Sequence, residues 1–204
     1  MNIIKKLGLF ICATVLAFSV CACQSKTKND DNKKTDEKTV KIVIPQSFLS
    51  ICGHKTNKSI KKLAKEYNDN KEYCQKAYVK DNDIVLESTE DQIKYYIAVN
   101  DEVIEESVEV LEEANENYKS EISDDYTSVK LYFDENIDEY TYTKIMTATV
   151  NFCGINYILE NRTKDWHIDW EVINCHTNKT VVKYKIPDDK KNTFGKAEWD
   201  KSYE

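Results

Sequence analysis

Cysteine is the residue type with the widest chemical scope in this chain. Of the seven cysteines, three lie at or before Cys23, and the other four are Cys52, Cys74, Cys153 and Cys175. These four form two pairs with the same spacing, Cys52 with Cys74 and Cys153 with Cys175. An even number of cysteines in an exported domain permits disulfides, with three possible connectivities, and each closed loop could add roughly 3 kcal/mol. A core of this size does not need crosslinks, so we favour small buried thiols over disulfides or a metal site.

Two histidines accompany these cysteines and raise the question of a metal. Cys52 with His54, and Cys175 with His176, would supply four sulfur and nitrogen donors. Tetrahedral zinc sites usually take their donors from CxxC or HxxxH spacings, which a CxH pair and a CH pair do not match. We therefore expect His54 and His176 to be loop residues, and we predict neither a metal nor a cofactor.

A second set of reactive groups alternates along one segment near the C terminus. Asp165, His167, Asp169 and Glu171 could supply a general base and a carboxylate that orients it. They alternate with apolar residues, which is typical of the solvated face of a half-buried strand. Acid–base catalysis needs a positioned pair with shifted pKa values in a cleft, and no nucleophile motif is present, so we predict no catalytic residue.

Tyrosine is abundant, with 13 copies in the chain. Aromatic side chains at alternating strand positions usually form half of a core. Tyr132, Tyr140 and Tyr142 need not all face inward, and we predict that any exposed aromatic binding surface includes them.

The composition excludes several classes of protein. Lys plus Arg number 29 against 36 Asp plus Glu, which gives a net charge of −7, and Arg162 is the only arginine, so nucleic-acid binding is not expected. Four glycines cannot build a Walker loop or a dinucleotide-binding loop together with the turns of a domain. One acidic run lines the longest predicted helix: Glu102, Glu105, Glu106, Glu109, Glu112, Glu113 and Glu116. It could dock a basic partner or attract Ca²⁺, but we favour a solvated helix face, since no Asp-rich loop with a turn glycine supports a calcium site.

The N-terminal segment that ends at Cys23 predicts export and lipid anchoring. Segment 1–6 carries two lysines, and segment 7–20 is a mostly apolar stretch, which is short for a membrane span and typical of a signal peptide. The stretch ends in Val20-Cys21-Ala22-Cys23, which resembles the bacterial lipobox with Cys23 as the lipidated residue. Cys21 fits less well because Val20 would occupy the position that requires a small residue. Acyl chains such as palmitate bury enough CH₂ groups to hold a domain on a membrane.

These observations divide the chain into four parts. We predict a lipoprotein signal peptide over 1–22, the lipidated Cys23 with a disordered polar tether over 23–39, a folded domain over 40–186 and a loosely ordered tail over 187–204. Segment 24–39 has no apolar side chain and is rich in lysines and acids, which is why we expect it to stay disordered.

Hydrophobic periodicity and turn residues predict the elements of the domain. In order they are a strand Val40–Ile44, a helix capped at Thr56 or Asn57, a hairpin of Ala77–Lys80 with Ile84–Ser88, a helix over 89–118 opened by a Thr89–Gln92 capping box, a hairpin of Val129–Phe133 with Glu139–Thr143, an apolar helix over 144–161, and a hairpin of Trp166–Val172 with Thr180–Ile186. We therefore expect an α+β fold, with an antiparallel sheet of hairpins and helices packed mainly on one face. A ββα pseudo-repeat is also indicated, because Asp83-Ile84 and Asn136-Ile137 occupy matching places.

The run SVKLYFDENIDEYTYT at 128–143, the apolar helix with its central Gly154 and the closing hairpin resemble a family of uncharacterised lipoproteins of clostridia and related bacteria. The likeness extends from the signal peptide to about residue 186, and the domain cysteines depart from it. Since that family has no established activity, the resemblance implies an anchor and a fold but no catalytic residue.

We therefore expect a lipoprotein that a lipid anchor holds on the extracytoplasmic face of the cell membrane of a Gram-positive bacterium. Its domain is predicted to be a non-enzymatic binding module for an unknown protein or cell-wall partner. A cell-envelope enzyme, either a hydrolase or a thiol protein, and an immunity or inhibitor lipoprotein are the alternatives.

Overall fold

The structure is a computed structural model that describes residues 38–188 and 194–204. The predicted signal peptide, Cys23 and nearly all of the tether lie outside the described residues. The strands are β1 (Val40–Ile44), β2 (Lys76–Lys80), β3 (Asp83–Ser88), β4 (Lys119–Ile122), β5 (Ser128–Phe133), β6 (Ile168–Asn174) and β7 (Thr180–Ile186). The helices are α1 (Gln46–Ile51), α2 (Asn57–Asp69), α3 (Glu90–Ala114), α4 (Glu139–Thr147), α5 (Cys153–Asn161) and α6 (Lys196–Tyr203), and a π-helical turn at Ala148–Phe152 joins α4 to α5.

The strands form two sheets. The first has the order β1-β3-β2 and is antiparallel throughout. The second has the order β4-β5-β6-β7, and its central pair, β5 and β6, is parallel. The α+β class is confirmed, while the strands that we expected in antiparallel hairpins are divided between an antiparallel sheet and a mixed one.

Two of the three predicted hairpins are confirmed. Asp81 and Asn82 join β2 to β3 with φ angles of 52° and 67°, the positive values that a two-residue hairpin turn of type I′ requires. β6 and β7 pair antiparallel, and Ile168, Trp170 and Val172 are buried, as their alternation predicts.

The second predicted hairpin is wrong, because residues 139–143 begin helix α4. Asp138 caps this helix, since its Oδ1 accepts hydrogen bonds of 3.0 Å from the backbone N–H groups of Tyr140 and Thr141. The antiparallel partner of β5 is β4, a strand that the periodicity did not reveal. The predicted helix over 144–161 is confirmed as the second part of a longer helical crossover from β5 to β6, and such a crossover makes two strands parallel.

The longest helix, α3, begins where the capping box predicts. Gln92 N–H donates to Thr89 Oγ1 at 3.2 Å, and Thr89 N–H donates to Gln92 Oε1 at 2.9 Å. The helix ends at Ala114, earlier than predicted, because Asn115 adopts an extended conformation. It packs against α4, the π-helical turn and α5, and one apolar core runs from the first sheet to the second. No helix in the described ranges has the length and apolar character needed to cross a membrane.

The C-terminal segment is better ordered than predicted. Lys196–Tyr203 forms α6, and Trp199 is buried with its ring centroid 5.8 Å from that of Phe133. Asn174 Nδ2 donates to Ser202 Oγ at 2.8 Å. The prediction of a loosely ordered tail is therefore wrong for residues 196–203, because Trp199 docks an otherwise polar helix on the sheet.

The ββα pseudo-repeat is not confirmed. Asp83 and Ile84 begin strand β3, whereas Asn136 and Ile137 lie in the connection between β5 and α4. The matching dipeptides therefore occupy different structural positions.

Candidate functional site

Strands β5 and β6 end side by side at one edge of the second sheet. Parallel strands bring their carboxyl ends to the same edge, where ligand sites of such sheets usually lie. The pairing places Phe133 opposite Asn174, and the backbone N–H of Cys175 continues the ladder by donating to Phe133 O at 3.1 Å. Asp134, Cys175 and His176 therefore leave the sheet at one place.

These three residues form a compact cluster of potential metal ligands. A carboxylate oxygen of Asp134, Sγ of Cys175 and a ring nitrogen of His176 all lie within 4.8 Å of one another. His176 Nε2 lies 2.9 Å from Asp134 Oδ2. Asp134 is buried, while the side chain of His176 is 45% exposed, so the cluster opens to solvent on the histidine side. It is the one group of three or more such ligands in the part of the chain that the structure describes.

Neighbouring groups hold the cluster in place. Tyr118 OH donates to Asp134 Oδ1 at 2.7 Å, and Asn136 N–H donates to the same oxygen at 2.8 Å. The backbone N–H of His176 donates to Asn174 Oδ1 at 2.9 Å. The second carboxylate oxygen of Asp134 is therefore left to face the imidazole.

Helix α6 lies beside the cluster and contacts one part of the His176 side chain, while the rest of that side chain is exposed. The rings of His176 and Tyr203 stack with centroids 6.5 Å apart, and Tyr203 OH donates to Glu135 Oε2 at 2.6 Å. Thr177 Oγ1 donates to the backbone oxygen of Ser202 at 2.7 Å. The C-terminal helix is thus part of the site.

The local electrostatics favour a carboxylate beside a protonated thiol. Burial opposes ionisation of Asp134, but the hydrogen bonds from Tyr118, Asn136 N–H and His176 outweigh it and lower the pKa of this carboxyl. Burial and then the charge of Asp134 raise the pKa of the Cys175 thiol. A thiol whose pKa is raised is a weak nucleophile at neutral pH, since the thiolate is the reactive form.

The four-donor metal set considered from sequence is not assembled. The structure brings Cys175 and His176 together and adds Asp134, whereas Cys52 and His54 do not join the group. Cys52 Sγ lies 3.5 Å from Asn151 Oδ1, and burial lowers the pKa of His54. The expectation that His176 is merely a loop residue is incomplete, because its ring pairs with a buried carboxylate.

The domain cysteines differ in burial. Cys74 and Cys153 are buried, and Cys52 and Cys175 are partly exposed. Cys74 Sγ lies 3.5 Å from the backbone oxygen of Tyr67, and burial raises the pKa of Cys153 to about 12. In the described part of the chain no disulfide joins any two of these four residues.

The three tyrosines proposed as a binding surface do not form one exposed patch. Tyr140 is 67% exposed, but Tyr132 is buried, with Lys119 Nζ 4.1 Å from its ring centroid. Tyr142 is partly buried and packs edge to face against Phe133. The prediction is wrong for Tyr132 and Tyr142, since Tyr132 lies on a central strand and Tyr142 on the inner side of α4.

The polar residues before and along β6 do not form a catalytic pair. Asp165 and Asp169 are exposed, and the His167 ring lies against Tyr157 with centroids 6.1 Å apart. Among the described residues, no hydrogen bond or ion pair connects His167 to Asp165, Asp169 or Glu171. The solvated face that we predicted describes Asp165 and Asp169, whereas the Glu171 side chain is only 15% exposed and pairs with Lys183 on β7.

Sequence reasoning missed Asp134 because the wrong hairpin placed it in a tight turn. The sequence signal that could have revealed it is Asp138, a residue type that caps helices. A helix that begins after Asp138 makes residues 139–161 one helical crossover, and such a crossover places β5 and β6 parallel.

Comparisons with protein-family models, curated proteins and solved structures found no match to this chain. The resemblance to the clostridial lipoproteins, and the lipid anchor that it implies, therefore stay predictions.

Proposed function

We propose that this chain is a lipoprotein, anchored through Cys23 to the extracytoplasmic face of a bacterial membrane, whose α+β domain binds a partner. The observation that carries the anchor is the N-terminal sequence, in which a lysine-bearing start, a short apolar stretch over 7–20 and Val20-Cys21-Ala22-Cys23 follow one another. The domain begins with β1 at Val40, which leaves segment 24–39 as a polar spacer after the anchor.

The anchor has a direct test with a matched control. Mass spectrometry of the mature protein from its host should find diacylglyceryl on an N-terminal Cys23. Cys23→Ala should leave the protein unlipidated and absent from the lipid-anchored fraction, whereas Cys21→Ala should keep both lipid and membrane association. A water-soluble product that starts at another residue would refute the anchor.

The acidic face of α3 and the turn after it supports a binding role. Seven glutamates from Glu102 to Glu116 are exposed, and among the described residues none of them forms an ion pair. Helix neighbours three or four positions apart lie about 5–6 Å from each other, which is less than the Debye length of about 8 Å at physiological salt. Their fields therefore add, so this solvated face would attract a positively charged partner, which is the alternative that the sequence left open.

The partner is best sought by crosslinking in intact cells. We expect the wild-type chain to capture an envelope protein or cell-wall polymer, and the triple variant Glu105→Gln, Glu109→Gln and Glu112→Gln to lose most of that capture. A control variant with the same change in net charge replaces three exposed acids elsewhere: Asp124→Asn, Asp165→Asn and Asp169→Asn. Equal loss in both variants would show that total charge, and not the α3 face, governs binding.

A thiol enzyme is the second candidate, because Cys175, His176 and Asp134 are the residue types of a nucleophile, a base and an orienting carboxylate. The raised pKa of Cys175 argues against it, since burial and the nearby Asp134 charge keep the thiol protonated. Alkylation of Cys175 by iodoacetamide should be slow at neutral pH and should accelerate only in alkaline solution. Rapid alkylation in mildly acidic solution would favour the enzyme.

A further inference from the structure

We propose that Asp134, Cys175 and His176 bind one Zn²⁺ ion through a carboxylate oxygen, a thiolate sulfur and an imidazole nitrogen. The three donor atoms already lie within 4.8 Å of one another. With Zn–ligand bonds of about 2.0–2.3 Å, two ligands of a tetrahedral ion lie about 3.3–3.7 Å apart. Small side-chain rotations therefore suffice to place all three donors around one ion. The proposal does not depend on the lipid anchor.

The types of donor select the class of metal. Ca²⁺ and Mg²⁺ require oxygen ligands almost exclusively, whereas sulfur and imidazole donors suit Zn²⁺. Three protein ligands leave a fourth position of a tetrahedral ion for water. The histidine side of the cluster is the open one, because the His176 side chain is 45% exposed.

Neighbouring residues hold the Asp134 carboxylate in a fixed orientation at this site. Asp134 is 5% exposed, and two donors, Tyr118 OH and Asn136 N–H, hold its Oδ1 at 2.7 and 2.8 Å. Its Oδ2 is thereby directed at His176, 2.9 Å from Nε2. Hydrogen bonds that orient the ligands from outside are typical of metal sites and contribute to their affinity. Two exposed acids on a surface would not have this support.

Binding balances the local charge. The Cys175 S–H bond releases its proton to solvent. The ring nitrogen of His176 that binds the ion gives up any proton it carries and exchanges its contact with Asp134 for a bond to the metal. The carboxylate and the new thiolate together carry two negative charges, which the Zn²⁺ ion neutralises. Metal binding should therefore release protons and weaken in acid, where the ligands are protonated.

The test uses the full chain, reduced and freed of metal with a chelator. Titration with Zn²⁺ in competition with a chromophoric chelator should give one ion per chain. Replacement by Co²⁺ should give a near-ultraviolet thiolate-to-metal band and the visible bands of a tetrahedral ion. Cys175→Ser should abolish the thiolate band and weaken Zn²⁺ binding at least about tenfold, and Tyr118→Phe should weaken it by about 10–100-fold through Asp134.

The chain offers a matched control in its other cysteine and histidine pair. Cys52→Ser combined with His54→Gln removes the same residue types and should leave stoichiometry, affinity and the Co²⁺ spectrum unchanged. Circular dichroism of each variant checks its fold. The Co²⁺ spectrum of the wild type is measured without any variant, so the proposal can still be tested if a variant does not fold. The proposal is overturned if the wild type binds no Zn²⁺ at micromolar concentration, if its Co²⁺ form lacks the thiolate band, or if the control loses the ion.

Discussion

Gly154 occupies a position in α5 where a methyl group does not fit. A Cβ atom there would lie 2.8 Å from Phe48 Cε2 and 3.0 Å from Trp166 Cζ3. Both separations are shorter than the 3.4 Å at which ordinary van der Waals contact begins. Both rings are buried and pack edge to face with centroids 5.1 Å apart, which leaves neither ring a simple way to retreat.

Two opposing terms decide the effect of Gly154→Ala. Overpacking a filled core costs about 1–3 kcal/mol, and alanine is favoured over glycine inside a helix by about 1 kcal/mol. Because Phe48 and Trp166 support each other, we place the steric cost in the upper half of its range. The variant should therefore be less stable than the wild type by about 1–2 kcal/mol.

Urea denaturation measures this difference, with the slope m unchanged so that the midpoint reports stability. A companion substitution, Phe48→Leu, removes the nearer of the two ring atoms that the new Cβ would strike. In that background the cost of Gly154→Ala should fall below about 1 kcal/mol, since only the contact with Trp166 Cζ3 at 3.0 Å remains to oppose the helix term. The reasoning is refuted if Gly154→Ala stabilises the wild type, or if its cost is the same in both backgrounds.

Three further predictions concern caps, pH and thiols. Thr89→Ala removes the capping box of α3 and should lower the free energy of unfolding by about 1 kcal/mol in urea, whereas Thr89→Ser keeps the hydroxyl oxygen that accepts from Gln92 N–H and should cost less. Because the pKa of Asp134 is lowered in the folded state, its ionised form stabilises the fold at pH values above the ordinary carboxyl pKa. This stabilisation is lost as the pH falls through the pKa of Asp134 in the folded state. Urea denaturation between about pH 2 and 5 should therefore show a smaller loss of stability for Asp134→Asn than for the wild type. Cys74 and Cys153 are buried, so mass spectrometry should find both alkylated after unfolding without a reductant and neither alkylated in the native protein. Absence of labelling in the unfolded chain would instead indicate disulfides.

Elements governed by near neighbours were predictable from the sequence. The capping box of α3 joins Thr89 to Gln92, three positions apart, and the β2–β3 turn depends on Asp81 and Asn82 alone. The alternation that predicted β6 also follows from adjacent residues. The failure at 139–143 came from the same kind of local signal, because alternating Tyr and Thr favour a strand while Asp138 favours a helix start, and the cap prevailed.

Only part of the candidate site could be predicted from the sequence. Cys175 and His176 are adjacent and were considered as metal donors together with Cys52 and His54, but their spacing argued against a metal site. The residue that meets them is Asp134, 42 positions from His176, and nothing in its own neighbourhood marks it as a ligand.

The sequence by itself determined the acidic character of the chain, the export and anchoring signal that we propose, the capping box of α3 and the tight β2–β3 turn, because each depends on composition or on residues a few positions apart. Only the tertiary structure decided the division into two sheets, the docking of α6 through Trp199 and the meeting of Asp134 with Cys175 and His176. The physical reason is that these features require the parallel pairing of β5 and β6 across a helical crossover. That pairing is stabilised by contacts between distant residues, and its one local signal, the Asp138 cap, competed with the strand-like pattern of 139–143.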